Sequence, residues 1–284
     1  MIKLARVLGL LLLFLAPSAF AAGRVDCGSL QSKTLTRRVG YCALLPPGYD
    51  ANKAEKFPVL YFLHGLGGNH EFLATSGGWQ LIEDLQEQKK IRDFVIITPQ
   101  GWSSFYIDSK SGRVRYEDFF LREFMPAMQQ KFRIRADRAG RAIGGVSMGG
   151  YGALRFAFKY PKMFTAVAVH EPALVENIPQ ALLASGLGRM MGSAFGTPFD
   201  ASYWRSNTPF VFARSAELNG LKIYFDCGDQ DDFAFDAGTE TMDKLLTHRK
   251  VPHEAHIYPG QHGPLFMIEH LQQSLEFVSK AFGK

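Results

Sequence analysis

Short apolar runs alternate with longer amphipathic stretches along most of this chain, and no other feature restricts its fold as much. Residues 59–63, 94–97, 166–169 and 221–225 form the runs; each is bounded by Gly, Pro or Asp and reads as a buried strand. Residues 79–89, 116–132, 147–160, 239–249 and 265–282 carry apolar side chains at helical spacing. Strand then helix, repeated, predicts an α/β architecture in which a mostly parallel sheet lies between two layers of helices. Residues 34–45 read as an antiparallel lead-in, closed by Pro46-Pro47-Gly48. Residues 175–215 break the rhythm, with Gly186, Gly188, Gly192, Gly196, Pro198 and Pro209 set among Met and aromatic side chains. That stretch is expected to be a cap-like insertion over the C-terminal edge of the sheet.

The N-terminus places Lys3 and Arg6 before an apolar run and ends in Ala19-Phe20-Ala21-Ala22, the order of a cleavable export signal over residues 1–22. Its apolar run is shorter than the roughly 20 residues that a bilayer span requires. Cleavage near Ala21 or Ala22 would leave a periplasmic or secreted chain without stable membrane insertion. About 260 residues then remain, residues 23–284, which suits a single large domain. Loss of Lys3 and Arg6 lowers the formal charge from +5 to +3. Nothing in that balance argues for nucleic acid, and Arg133, Arg135, Arg138 and Arg141 are spaced as a solvated face. Of three cysteines, Cys27 and Cys42 flank a hairpin and are expected to pair in an oxidising compartment. Cys227 lies beside Ile223-Tyr224-Phe225, where a thiol is buried and inert.

Chemistry enters at Gly145-Val146-Ser147-Met148-Gly149, placed where an apolar run passes into an amphipathic stretch. The pattern is a nucleophile elbow, a sharp strand-to-helix turn that holds a serine hydroxyl clear of the sheet. A free hydroxyl is a poor nucleophile at neutral pH and needs a base. His262, in the loop Pro259-Gly260-Gln261-His262-Gly263-Pro264, is placed to be that base. His253 and His256 face opposite sides of a strand and do not share a metal, and His248 reads as helix surface.

The base needs a carboxylate to fix its tautomer. Asp231 is preferred over Asp226, Asp229 and Asp232, because Gly228 frees the backbone to turn ahead of it. A calcium loop is excluded, since the turn glycine and terminal glutamate of that motif are missing. The chain order Ser147, Asp231, His262 is that of the α/β-hydrolases. An oxyanion then needs donors aimed at it beforehand: the amide of Met148, and that of Leu66 in His64-Gly65-Leu66-Gly67-Gly68. That glycine loop lacks the Gly-Lys-Ser/Thr ending of a phosphate cradle.

These residues resemble the Putative esterase family, which contains esterase D, the antigen 85 mycolyltransferases, and feruloyl and acetylxylan esterases. The resemblance spans most of the chain after residue 22. It is carried by Leu44-Leu45-Pro46-Pro47-Gly48-Tyr49, Leu63-His64-Gly65, residues 145–153, Tyr160-Pro161, residues 228–233 and Gly260-Gln261-His262. It implies an α/β-hydrolase fold, the catalytic set Ser147, Asp231 and His262, and oxyanion donors at Leu66 and Met148. The chain departs from the pattern at His170-Glu171-Pro172, where relatives often carry a small Ser-Gly pair. Glu171 is therefore a candidate substrate contact and an alternative acid. Trp102 is a candidate substrate contact as well, with Tyr106, Trp79 and Trp204 as further aromatic candidates.

Hydrolysis of small-molecule, carbohydrate or lipid esters through an acyl-enzyme is the expected activity, with no cofactor and no metal. The same acyl-enzyme would serve transfer to an alcohol, and a catalytically silent binding protein is the third reading. Export argues against the cytosolic S-formylglutathione hydrolase role that esterase D resembles.

Overall fold

A computed structural model describes residues 23–51 and 53–283; the expected export signal lies outside the described residues. Eight strands form one sheet in the order β1-β2-β4-β3-β5-β6-β7-β8. They are β1 (Arg24–Gln31), β2 (Arg38–Leu45), β3 (Val59–Leu63), β4 (Val95–Pro99), β5 (Arg141–Val146), β6 (Ala166–His170), β7 (Lys222–Gln230) and β8 (Glu254–Gln261). β3 to β8 run parallel, while β2 is antiparallel to both β1 and β4.

The helices are α1 (Phe72–Thr75), α2 (Gly78–Glu87), α3 (Tyr116–Phe119), α4 (Met125–Lys131), α5 (Met148–Lys159), α6 (Gln180–Ala184), α7 (Gly186–Phe195), α8 (Ala201–Asn207), α9 (Pro209–Ser215), α10 (Phe235–His248) and α11 (Pro264–Ala281).

Strand periodicity divides the buried residues between two cores. In β3, Val59, Tyr61 and Leu63 enter the larger core with Ile143, Val167 and Phe225; Leu60 and Phe62 enter the other with Ile96, Ala142 and Tyr224. α5 and α10 cover the first face, and α2 and α11 cover the second through Ile82, Leu85, Met267, Leu271 and Leu275. Because β3, β4 and β6 are buried on both faces, they read as largely apolar runs. The fold is that of an α/β-hydrolase.

Three expectations change in detail. The lead-in is longer than residues 34–45: it is a hairpin whose first strand, β1, begins at Arg24. That edge strand alternates between exposed and half-buried residues, so no apolar run marks it. The helix expected over residues 116–132 is interrupted by a π turn at Phe120–Phe124, where the Met125 amide reaches the Phe120 carbonyl. Pro126 follows at once and has no amide hydrogen for the Arg122 carbonyl, so the ladder is already broken there. Residues 175–215 carry four short helices, α6 to α9, between β6 and β7.

Cys27 and Cys42 stand directly opposite each other on β1 and β2 and are joined by a disulfide. Cys227 is free and buried. The bridge closes a segment with a sequence separation of 15, and loops of that size restrict the unfolded chain by roughly 3 kcal/mol. Reduction should lower unfolding stability by roughly 2–3 kcal/mol in urea titrations. An unchanged midpoint would mean that the β1–β2 ladder alone holds this edge.

Candidate active site

Ser147 follows β5 and precedes α5, with φ 56° and ψ −118°, a conformation that non-glycine residues rarely adopt. The surrounding backbone holds it there: the Ser147 amide donates to the His170 carbonyl at 3.0 Å, and the Ser147 carbonyl accepts from Tyr151 and Ala173. The flanking glycines are required by space. A Cβ at Gly145 would lie 2.7 Å from the Gly149 backbone, and one at Gly149 would lie 1.9 Å from the Leu63 carbonyl oxygen. Strand and helix therefore meet at a distance that only hydrogen atoms fit.

β7 carries Asp231 to the same rim just past its end, and β8 carries His262. The His262 Nδ1–H donates to Asp231 Oδ2 at 2.7 Å, leaving Nε2 to accept from Ser147 Oγ at 3.1 Å. Asp231 also accepts the amides of Phe233 at 2.8 Å and Phe235 at 3.3 Å, and the Cys227 thiol at 3.4 Å. Burial works to raise the Asp231 carboxyl, but hydrogen bonding and attraction to His262, with the two amides, take it below the usual carboxylate value. For His262, burial pulls downward; the Asp231 hydrogen bond and the charges of Glu171, Asp231 and Asp232 outweigh it, and the imidazole becomes more basic than usual. The rings of Phe233 and Phe235 meet the imidazole edge to face.

The neighbouring acids are engaged elsewhere. Asp226 pairs with His170 at 2.9 Å in the buried second face, where His170 also meets Ser274 Oγ at 2.8 Å. Asp229 accepts the Gly260 amide, and Asp232 is exposed at the mouth of the cavity beside Ser147.

That cavity has a volume of about 370 Å³. Leu66 and Met148 line it next to the serine, and the insertion supplies Ile178, Leu182, Leu187 and Trp204. Its wall is mostly apolar, as ligand pockets commonly are.

The Leu66 loop is anchored by His64, whose role the sequence reading did not anticipate. The Gly101 amide donates to its Nε2 at 2.8 Å, so Nδ1 carries the hydrogen and donates to the Gly65 carbonyl at 2.7 Å. Tyr106 donates to the His64 carbonyl at 2.9 Å. Burial lowers the His64 pKa to about 4. Between that value and the ordinary 6.5 the unfolded chain binds a proton that the folded one refuses. Stability present above pH 6.5 should therefore be lost as pH falls towards 4, by roughly 3 kcal/mol. Chemical denaturation across that window should show the loss, and His64→Gln should flatten it; an equal slope in both proteins would contradict the assignment.

Neither of the candidate substrate contacts Trp102 and Glu171 lines this cavity. Trp102 lies under the Arg37 guanidinium, 3.8 Å from its ring centroid, and faces a separate hollow with Ser103, Ser104 and Ser193. Trp102 has a positive φ of 47° and does not line Ser147's cavity. Glu171 is fully buried behind His262 and does not line the cavity. Both of its carboxyl oxygens accept the Gly263 amide, at 3.0 and 3.1 Å, and Oε1 lies 3.8 Å from His262 Nδ1. Burial raises this carboxyl to about 8 against the attraction of His262 and the Gly263 amide. Of the other aromatics, Trp204 lines the cavity while its indole donates to the Val175 carbonyl; Tyr106 is core and Trp79 packs on the second face.

Glu171, Asp231 and His262 bring one donor atom each within 4.8 Å, the one such trio among the described residues. Of these atoms, His262 Nδ1 is hydrogen-bonded to Asp231, and Glu171 accepts the Gly263 amide.

A hydroxyl on a strained elbow, hydrogen-bonded to an imidazole that is in turn hydrogen-bonded to a carboxylate, is the arrangement of the α/β-hydrolases in chain order and in space. Residues 32–275 match the family model described as Putative esterase, and the chain belongs to that family. An acetyl esterase from Caldicellulosiruptor saccharolyticus is 31% identical over 270 residues, covering 88% of this chain and 96% of that protein. Two esterases from strains of Mycobacterium tuberculosis are each 30% identical over 255 residues, and the chain spans about half of their length, 54%. Among solved structures, a ferulic acid esterase superposes with a TM-score of 0.80 at 27% identity, over 92% of this chain and 99% of that one. An S-formylglutathione hydrolase from Agrobacterium tumefaciens, at 20% identity and a TM-score of 0.76 over 94% of this chain and 98% of its own, shares the fold.

Proposed function

We propose that this protein is an exported serine esterase in which Ser147 is the nucleophile, His262 the base and Asp231 the orienting acid. One observation carries the reading: a single imidazole bridges the Ser147 hydroxyl and the Asp231 carboxylate, at 3.1 and 2.7 Å. As Ser147 Oγ bonds to the acyl carbon, Nε2 takes its proton and passes it to the departing alcohol oxygen. A water then loses a proton to Nε2 as it attacks the acyl-enzyme, and the proton returns to Oγ as the acid leaves. Asp231 steadies the imidazolium in both halves. The amides of Leu66 and Met148, both residues of the cavity wall, would receive the oxyanion.

The apolar cavity favours an uncharged acyl group, and about 370 Å³ is far more than an acetyl group fills. The relatives' names, acetyl esterase and ferulic acid esterase, support ester hydrolysis. Export is supported by the Cys27–Cys42 disulfide and by the N-terminal sequence pattern.

A series of p-nitrophenyl esters from acetyl to decanoyl tests the reading. Acid release that rises with acyl length beyond acetyl is expected; no release from any member would overturn it. Adding an alcohol in competition with water separates hydrolysis from acyl transfer by the product formed.

A further inference from the structure

Glu171 has no task in the steps above, yet it is the most expensively placed acid at the site. It follows the last residue of β6 with φ 45°, a left-handed conformation that costs a residue with a side chain. The Glu171 amide donates to the Asp226 carbonyl at 2.8 Å, and the Ala173 amide donates to the Ser147 carbonyl at 3.1 Å. Those bonds fix the turn and put the carboxyl beneath His262. There it is fully buried, which disfavours its charged form and raises its pKa to about 8.

An amide would hold the Gly263 N–H equally well without that penalty. A carboxyl differs in one respect that matters here: it accepts an N–H with a full negative charge once ionised. Its Oε1 stands 3.8 Å from His262 Nδ1, while Asp231 Oδ2 occupies the hydrogen-bonding position at 2.7 Å. Tilting the ring by about an ångström would exchange one partner for the other, since N–H···O bonds form near 2.9 Å.

We propose that Glu171 is a second orienting carboxyl for His262, which positions the His262–Gly263 turn in the resting protein and takes the Nδ1–H when Asp231 is withdrawn. The imidazole is thus served from the ends of two adjacent strands, β6 and β7. Glu171 acts through His262 and is a positioning residue. The inference rests on the reading of His262 as the base. The groups facing Glu171 are His262 and Gly263 after β8, Asp226 and Cys227 on β7, Asp231 just beyond it, and His170 alongside on β6.

The test compares wild type, Glu171→Gln, Asp231→Ala and the double variant by two readouts: the rate at which a fluorophosphonate labels Ser147, and hydrolysis of a p-nitrophenyl ester across pH. Rates are taken per labelled molecule, so partial unfolding lowers the amplitude and leaves the rate intact. Glu171→Gln alone is expected to slow both by less than about tenfold. Asp231→Ala should lose about a thousandfold, with a residual rate that climbs as Glu171 gives up its proton. Adding Glu171→Gln to Asp231→Ala should cost at least about 30-fold more and abolish that climb, a coupling that independent sites do not show. Glu171→Gln costing the same factor with and without Asp231 would overturn the proposal and leave a purely structural carboxyl. Wild type that neither labels at Ser147 nor hydrolyses ester would overturn the reading of His262 itself; labelling without coupling overturns only the role of Glu171.

Discussion

Ser147→Ala should fold as the parent chain does and lose turnover by a factor on the order of 10⁶. The hydroxyl's hydrogen bond is to His262 at 3.1 Å, so its removal leaves no buried group stranded in the apolar core. Alanine gains no relief at φ 56°, because the conformation is imposed by the bonds to His170, Tyr151 and Ala173. The melting temperature should therefore move by only a few degrees, while kcat collapses. A variant retaining more than about a tenth of the parent kcat would sink the nucleophile assignment. In the parent chain the reacting base must be neutral. Because the Asp231 hydrogen bond and charge make His262 more basic than an ordinary histidine, the acid limb of the rate profile should fall above pH 6.5.

Gly149→Ala is expected to disrupt the fold at the elbow. The added methyl would stand 1.9 Å from the Leu63 carbonyl oxygen, 2.4 Å from its carbon and 2.8 Å from the His64 carbonyl oxygen. All three are backbone atoms. Leu63 is fully buried, lies opposite Gly145 in the sheet register and cannot withdraw without opening the β3–β5 pair. Opening it would also displace His64 and the Leu66 amide. A loss of about 4 kcal/mol or more in urea denaturation is expected, together with most of the activity. Gly67→Ala provides the contrast: nothing lies within 4 Å of its added carbon, although φ is 82°, so about 1 kcal/mol of backbone strain is all that should appear. Similar losses at both sites would show that local conformational preference, and not the meeting of elbow and strand, sets the cost at Gly149.

The parts legible in the sequence share a physical trait: they repeat with a short period or sit at a fixed offset from something that does. β3, β4 and β6 are buried on both faces and largely apolar, so each stands out as a run. Ser147 is framed by glycines because elbow and strand touch, and Asp231 and His262 follow the strands that deliver them. β1 left no such mark, since an edge strand half open to solvent needs no apolar run. Trp102 and Glu171, which do not line the cavity beside Ser147, show the opposite case. An aromatic after a strand end and an acid beside the nucleophile look like substrate contacts, but each is engaged by a partner distant in sequence, Arg37 and Gly263.

Amphipathic periodicity and the order of Ser147, Asp231 and His262 were enough to determine the architecture, the elbow and the rim where these side chains gather. They depend on burial pattern and chain order, which one dimension records. Only the tertiary structure decided that His64 anchors the loop bearing Leu66, that residues 175–215 wall an apolar cavity, and that Glu171 lies beneath the imidazole. Those facts depend on distances between residues far apart along the chain, and on the burial that raises one carboxyl while hydrogen bonds lower its neighbour.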